Sequence, residues 1–250
     1  MPSKEETFNV GVGVFNWKEG ASRYDLYAPV WADVNPENGR NRWYKYTFDE
    51  TGKITGKEKT ENYSEVNVAE QRIKAGSTLP DVYGSITNNF RYKDFDLSVM
   101  LYYSLGGVVY DYNYAESTVL RENFAAYDYL DNRWQKPGDV TDVAKIYTYR
   151  CFDASSYARY SDKFIFKNNF ARLRNIVLGY SIPRDLVKKL GIGSLRFYVK
   201  GDNLLTFGKL KNHGTDPENF NATNVAGGVI DGESGVPALK TYSFGLNIQF

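Results

Sequence analysis

Residues 241–250 read TYSFGLNIQF and alternate strictly between large apolar side chains and small or polar ones. Thr, Ser, Gly, Asn and Gln occupy the positions between the apolar residues. Because successive side chains of a β-strand point to opposite faces, this pattern predicts a strand with one apolar and one polar face. The apolar side chains of this strand are Tyr242, Phe244, Leu246, Ile248 and Phe250.

The same alternation recurs along the chain and predicts about six strands. Strands of roughly ten residues match tilted membrane-crossing strands better than the five or six residues usual in a soluble sheet. A soluble sandwich also alternates, so the alternation alone does not decide between the two classes. The predicted strands are residues 7–15, 82–92, 95–105, 175–182, 195–205 and 241–250.

The connections between these strands alternate between short and long. The short ones are 92–96 and 183–194, and in the second Pro183 and Gly191 are predicted to bracket one or two helical turns. The long ones are 17–81, 106–164 and 207–238. In an up-and-down sheet this order places every long loop at one end, as in outer-membrane barrels, whereas such loops are uncommon in compact soluble domains. The sequence therefore predicts an all-β fold of the antiparallel transmembrane β-barrel type with long extracellular loops. Because known single-chain barrels have at least eight strands, six strands imply either further strands in the long loops or a piece of something larger.

Composition and motifs exclude several classes of function. The 31 basic and 30 acidic residues of the 250-residue chain nearly balance, so no nucleic acid is expected as a partner. Cys151 is the only cysteine and His213 the only histidine, which leaves no disulfide and no usual zinc site. No Gly-x-Ser-x-Gly elbow accompanies His213. We expect no enzyme, no catalytic residue, no cofactor and no metal.

Two groups of residues are candidates for contact with a solute or partner. Tyr110, Tyr112 and Trp134 lie in the long 106–164 connection, where aromatic faces suit a sugar, a peptide or a protein partner. They could equally pack that loop onto its own barrel. Charged residues on the polar strand faces are lumen-facing candidates that could tune a pore or form ion pairs without a ligand: Arg91, Arg196, Lys200 and Asp202.

Several stretches resemble one family of membrane proteins, the SusC/RagA family of TonB-linked outer-membrane transporters, which are TonB-dependent receptors. NRWQKPGDVTDV resembles the family's Arg-Trp-x-x-Pro-Gly-Asp loop, and YAPVWADVNPENGRNRWY resembles its Trp-Ala-Gly-Val-Asp-Pro loop with Asp33 in place of Gly. The similar segments follow the family's order over most of residues 7–250. They are 27–44, 79–111, 132–143, 171–183, 195–207, 213–218 and YSFGLNIQF at the end.

The resemblance implies a location in the outer membrane and a 22-stranded barrel, of which residues 1–250 would form the C-terminal portion with about the last six strands. It implies import of a glycan or peptide together with a SusD-like surface lipoprotein. The TonB complex would act only through an N-terminal part. The signal peptide, TonB box and plug domain are not recognised here, so the chain is expected to be a fragment that does not transport alone. The strand 241–250 would be the assembly strand presented to the barrel-assembly machinery.

Two other interpretations remain open from the sequence. The chain could be a small stand-alone outer-membrane barrel or adhesin, with further strands inside its long loops. It could also be a soluble all-β carbohydrate-binding protein, which would fold in water without detergent.

Overall fold

The structure is a computed structural model that describes residues 8–9, 16–17, 22, 24–111, 114–115, 128–145, 161–210, 214–218 and 237–250. The chain divides into two compact units. The first, here called the hairpin unit, comprises Met1–Leu79, Gly107–Lys167 and Phe220–Gly235. The second, the sheet unit, comprises Pro80–Gly106, Asn168–Asn219 and Val236–Phe250.

The hairpin unit contains short strands that the sequence pattern did not predict. Asp25–Ala28 (β3) pairs with Ile73–Ser77 (β7). A separate three-stranded sheet consists of Val30–Val34 (β4), Asn41–Phe48 (β5) and Ile54–Thr60 (β6). Val108–Tyr110 (β10) pairs with Ile165–Lys167 (β11), and all of these pairings are antiparallel. The long 17–81 and 106–164 connections therefore contain further strands. The bounds are β1 Phe8–Asn9, β2 Asn16–Trp17, β3 Asp25–Ala28, β4 Val30–Val34, β5 Asn41–Phe48, β6 Ile54–Thr60, β7 Ile73–Ser77, β10 Val108–Tyr110 and β11 Ile165–Lys167.

Among the described residues of the hairpin unit, two apolar clusters form the core. In the smaller one, Trp43 meets the ring of Tyr63 edge-on at 5.2 Å between centroids, on the helix α1, Tyr63–Val66. Burial of such large rings supplies much of the stabilisation of a unit this size. The larger cluster consists of Leu26, Ala28, Tyr110, Ala115 and Phe164.

The sheet unit is a single antiparallel sheet of five long strands. Five of the predicted strands are confirmed in it, whereas of the predicted strand 7–15 only Phe8–Asn9 is described as strand, paired with Asn16–Trp17, and 10–15 lie outside the described residues. The order across the sheet is β14-β13-β12-β9-β8. The bounds are β8 Val82–Tyr92, β9 Phe95–Leu105, β12 Phe170–Ser181, β13 Ser194–Gly208 and β14 Thr241–Gln249.

Both short connections form as the sequence predicts. β8 and β9 are joined by a tight turn in which Lys93 adopts a positive φ of 53°. Between β12 and β13, Pro183 precedes the helix α2, Arg184–Val187, and a 3-10 turn follows it. This turn ends at Gly191, whose φ of 73° suits glycine. Among the described residues no helix combines the length and the apolarity needed to cross a membrane.

A β-bulge at Arg174 interrupts the regular register of β12. Leu173 pairs with Leu101 of β9 and Asn175 with the next residue of β9, Met100, so Arg174 is an extra residue. Extra residues in a strand bend it and shift the alternation of faces. Leu173 before the bulge and Ile176 after it consequently share one face of the sheet.

The cross-strand register separates an apolar face from a polar one. Val199 pairs with Phe244 of β14 and with Leu178 of β12, which pairs in turn with Leu97. These side chains belong to the face that carries most of the exposed large apolar residues of the sheet, and Phe244 is 82% exposed. The β14 residues predicted to share one face, Tyr242, Phe244, Leu246 and Ile248, all pair with apolar-face positions of β13.

Candidate functional site

The polar face of the sheet unit carries an ion pair that crosses an entire strand. Arg196 on β13 donates from Nε to Asp96 Oδ1 on β9 at 2.9 Å, and its Nη2 bonds Oδ2. β12 lies between these two strands, and its residue beneath the pair is Gly179. A Cβ at Gly179 would collide with both partners. The absence of a side chain there is what allows the two charges to meet.

The other charged candidates of β8 and β13 lie on the same face. Lys200 Nζ lies 3.0 Å from Asp202 Oδ2, and Asn175 donates from Nδ2 to Asp202 Oδ1 at 2.7 Å. Arg91 stands directly opposite Asp96 in the β8–β9 register. The structure thus brings Arg91, Arg196, Lys200 and Asp202 onto one face. That this face lines a pore lumen stays a prediction.

A second charged cluster, here called the arginine cluster, was not singled out by the sequence analysis. Arg172, only 2% exposed, pairs through Nη2 with Asp216 and through Nη1 with Glu218 Oε2 at 2.7 Å. Arg174 on the bulge pairs with Glu218 Oε1 at 2.5 Å. Two arginines of β12 thus hold the segment 214–218 against the sheet. The available signal was charge complementarity between Arg-Leu-Arg in a strand and Asp-Pro-Glu in a loop.

Asp216 is held as a carboxylate by its surroundings. Burial would by itself raise its pKa, but hydrogen bonds from the backbone N–H groups of Glu218 and Ala238 oppose it. Together with the Arg172 guanidinium they hold the pKa of Asp216 below its ordinary value. A cavity of about 270 Å³ adjoins the cluster, lined in part by Arg172, Asp216 and Lys240.

In the hairpin unit, Trp134 packs against the turn between β4 and β5. Its Nε1 donates to the carbonyl oxygen of Pro36 at 2.8 Å, and its ring lies over Gly39. The backbone N–H of Gly138 donates to the same carbonyl at 2.9 Å. Trp134 is half-buried and fastens residues 133–139 to the 34–39 turn. This is the packing role left open above, although a ligand contact by the rest of the ring stays a prediction.

The other two aromatic candidates differ in position. The side chain of Tyr110 is fully buried in the larger apolar cluster with Phe164, which is a packing role and not an exposed aromatic face. The cause is the pairing of Tyr110 with Ile165, which makes it part of a strand rather than a loop. Tyr112 and His213 lie outside the described residues.

Lys163 of the hairpin unit lies close to aromatic rings. Its Nζ is 4.3 Å from the centroid of the Trp31 ring and donates to the carbonyl oxygen of Asp142. Burial lowers the pKa of Lys163 to about 8, although the charge of Asp142 acts in the opposite direction. Burial likewise raises the pKa of the neighbouring Asp162, whose carboxylate accepts the backbone N–H of Trp31 at 2.8 Å.

The described residues contain no group of three or more His, Cys, Asp or Glu side chains arranged to hold a metal ion. On the polar face, Arg196 pairs with Asp96 and Lys200 pairs with Asp202. What this arrangement offers chemically is a polar, hydrogen-bonding surface, suited to contact with a hydrated solute.

Comparison with curated proteins identifies the family of this chain. No protein-family model matches the chain. TonB-dependent receptor P3 of Formosa agariphila is 30% identical over 192 residues, which cover 74% of this chain and 18% of the receptor. The chain belongs to the TonB-dependent receptors. TonB-dependent receptors P39 and P26 of the same organism are 29% and 24% identical over similar lengths.

Solved structures agree on the fold of this TonB-dependent receptor chain. The RagAB peptide transporter matches 98% of the chain with a TM-score of 0.74 at 21% identity. The open-open state of the RagAB peptide importer matches all of it with a TM-score of 0.73. The fold is a segment of a TonB-dependent transporter barrel, and the protein belongs to the outer membrane. The chain spans about a fifth of the length of its curated relatives and 25% of the matched RagAB chain.

Proposed function

We propose that the chain forms part of the barrel wall of a TonB-dependent importer, as the C-terminal portion of that barrel. The observation that carries the proposal is the separation of faces in the sheet unit. Val199 and Phe244 lie on one face, and the Asp96–Arg196 pair lies on the other. A barrel wall needs apolar side chains toward lipid and polar ones toward the lumen.

Paired charges suit a surface along which a solute passes. Because Arg196 and Lys200 each have a carboxylate partner, the polar face offers hydrogen bonds without a strong single-sign field. The charges can therefore contact a hydrated solute without trapping it. The relatives are receptors and transporters rather than enzymes, which supports binding and passage without covalent change.

The proposed cargo is a peptide or a glycan, and the proposed partner is a SusD-like surface lipoprotein that caps the barrel. The RagAB structures are described as a peptide transporter, which supports a peptide as cargo and a second component as partner. Energy would come from the TonB complex through an N-terminal part of the longer protein. The 106–164 and 207–238 connections would face outward and meet the cargo or the cap.

Uptake by the producing cell tests the import proposal. Deletion of the gene should abolish growth on one class of nutrient, either peptides or oligosaccharides, and loss of TonB should have the same effect. A plasmid copy of the gene should restore that growth. Normal growth of the deletion strain on every peptide and oligosaccharide that the parent strain uses would contradict the proposal.

The loop assignment has its own test. Replacing Tyr112 and Trp134 together by Ala should weaken uptake or binding of the cap while barrel assembly remains normal. Trp134→Phe, which keeps the ring against Gly39, is the matched control for packing. Unchanged uptake and cap binding in the double variant would refute this role of the two aromatics.

A further inference from the structure

One end of the sheet unit carries a row of aromatic side chains on the apolar face. Tyr92 of β8 pairs with Phe95 of β9, and Phe95 pairs with Tyr180 of β12. Phe197 of β13 continues the row opposite Tyr180, and Leu246 of β14 ends it. The ring centroids of Phe95 and Tyr180 lie 4.6 Å apart. Four of the five strands therefore present an aromatic ring at the same level of the sheet.

Both short connections lie beside this aromatic row. The backbone N–H of Ser181, at the end of β12, donates to the carbonyl oxygen of Asp94 in the β8–β9 turn at 2.8 Å. Pro183 and α2 follow Ser181 directly, so the turn and the helix lie at one edge of the sheet. This edge, here called the short-connection rim, consists of residues 92–95 and 181–194.

The aromatic row has the position of a membrane interface. The neighbouring row toward the middle of the sheet is mainly aliphatic and includes Leu97, Leu178 and Val199. Aromatic side chains concentrate where the hydrocarbon of a membrane meets the lipid headgroups. Tyr92 is 71% exposed and Phe95 is 50% exposed, so both rings are open to such a contact. The short-connection rim consequently lies at the level of the headgroups.

The short-connection rim has an excess of positive charge. The Nζ of Lys93 lies 5.5 Å from the ring centroid of Tyr92, which belongs to the aromatic row. The other cations of the rim are exposed on α2 and on the 3-10 turn after it. The basic residues of the rim are Lys93, Arg184, Lys188 and Lys189, and its acidic residues are Asp94 and Asp185.

These cations differ from those of the polar face. Arg196 and Lys200 on the polar face each pair with a carboxylate, whereas within the described part of the chain no basic side chain of the rim forms an ion pair. Leu186 is 57% exposed among the rim cations, so α2 presents an apolar side chain between basic ones. This composition is typical of segments that lie on an anionic membrane surface.

We propose that the short-connection rim binds the headgroups of anionic phospholipids. Lys93, Lys188 and Lys189 contact the lipid phosphates, and the aromatic row lies at the boundary between headgroups and hydrocarbon. Because the short connections of outer-membrane barrels face the periplasm, the lipid is a phospholipid of the periplasmic leaflet. The proposal rests on the proposed barrel wall, and it adds a lipid class recognised at one end of that wall.

Native mass spectrometry tests the proposal on the full-length receptor, purified in a mild detergent from outer membranes. Titrations would compare anionic phosphatidylglycerol with zwitterionic phosphatidylethanolamine that carries the same acyl chains. One basic side chain at an anionic membrane surface contributes about a fivefold preference, so phosphatidylglycerol should bind at least about fivefold more tightly. Equal affinities for the two lipids would overturn the proposal.

A variant that removes charge locates the binding surface. Replacing Lys93, Lys188 and Lys189 together by Gln removes three of the four basic side chains of the rim and should abolish the preference for phosphatidylglycerol. Lys93→Gln alone should lower the preference several-fold, and it serves as the test if the triple variant does not assemble. An unchanged preference in the assembled variant overturns the proposal.

The matched control removes the same number of charges elsewhere. It replaces three exposed lysines by Gln, which lie in sequence just beyond the opposite ends of β12, β13 and β14: Lys167, Lys209 and Lys240. This control should keep the lipid preference, and an equal loss in both triple variants refutes the assignment to the rim. Growth on the imported nutrient separates the two proposals. A receptor that imports without any lipid preference refutes the rim proposal alone, and one with the preference but no import refutes the import function alone.

Discussion

At the scale of single residues, Gly179 controls the contact between two charges on its neighbouring strands. The Asp96–Arg196 pair passes directly above its Cα, in space that any Cβ would occupy. Tyr198 uses Gly245 in the same way, because its ring covers the glycine opposite it. Glycine in these strands therefore makes room for cross-strand contacts, which compensates for its low strand propensity.

Gly179→Ala should destabilise the barrel by about 1–3 kcal/mol, because the new Cβ forces Arg196 and Asp96 apart. Thermal unfolding in detergent, followed by loss of β-structure, measures this effect. Gly56→Ala is the control, since its nearest neighbour would lie at an ordinary 3.8 Å. In an Arg196→Ala background the Gly179 substitution should cost less, and an equal cost in both backgrounds would contradict the explanation.

Lys163 should titrate near pH 8, because burial against the Trp31 ring disfavours its charged form. The folded pKa lies below the unfolded value, so folding stability at this site is lowest below pH 8 and rises between about pH 8 and 10.5. The pH dependence of labelling by an amine-reactive reagent, read by mass spectrometry, measures the pKa. Asp142 and Asp162 are the acidic groups beside it.

Lys45 is the control for that titration. The hydrogen bond from Lys45 to Glu65 raises its pKa above the ordinary value, so its labelling should begin at clearly higher pH. Labelling of Lys163 and Lys45 with the same pH midpoint would contradict the burial argument.

At the scale of elements, the sequence predicts the long strands well and the short ones poorly. β8, β9 and β14 follow from alternation because each has one face of large apolar residues. β6 reads ITGKEKT, with no apolar alternation, and is held by its pairing with β5. β3 pairs with β7 almost fifty residues later, and such long-range pairing leaves no local signal.

In the candidate site, too, the sequence pattern predicted only the residues that carry a local signal. Arg196, Lys200 and Asp202 stand out because they occupy the polar positions of an alternating strand, and the structure places them on one face. The arginine cluster joins residues 44 positions apart, and Tyr110 became a strand residue through a partner far along the chain. Contacts of this kind depend on the tertiary structure, so the sequence pattern could not supply them.

The main role expected of Trp134 is to hold residues 133–139 against the 34–39 turn. Trp134→Ala removes the hydrogen bond to Pro36 and the ring over Gly39, and should destabilise the local packing by about 2 kcal/mol. Limited proteolysis should then cut faster within residues 133–145 and 34–40. Trp134→Phe should resist cleavage better than Trp134→Ala, and identical cleavage of wild type and Trp134→Ala would show that the ring does not fasten the turn.

The arginine cluster should hold the segment 214–218 on the sheet. Asp216→Asn leaves Arg172 with a weakened partner in a buried position and should cost about 3–5 kcal/mol. Because the pKa of Asp216 is lowered, its contribution is complete above about pH 4 and is lost as the pH falls further. Hydrogen exchange of residues 214–218 measures the release, with Asp185→Asn on the exposed surface of α2 as control. Unchanged exchange in Asp216→Asn would show that the ion pair is dispensable.

At the scale of the whole molecule, the two faces of the sheet unit should tolerate charge very differently. Val99→Lys places a charge on the apolar face and should cost about 2–4 kcal/mol near the membrane centre, which impairs assembly. Ser98→Lys, one residue away on the polar face, should assemble normally. The amount of each variant recovered in the outer membrane measures this difference. Equal recovery would contradict the assignment of the apolar face to lipid.

The bulge at Arg174 has a consequence for how the length of this strand can vary between relatives. Leu173 and Asn175 already alternate correctly, so loss of residue 174 would leave every other side chain of β12 on its present face. Loss of any other interior residue of the strand would exchange the faces of one end. Homologous receptors with a shorter version of this strand should therefore show their alignment gap at position 174.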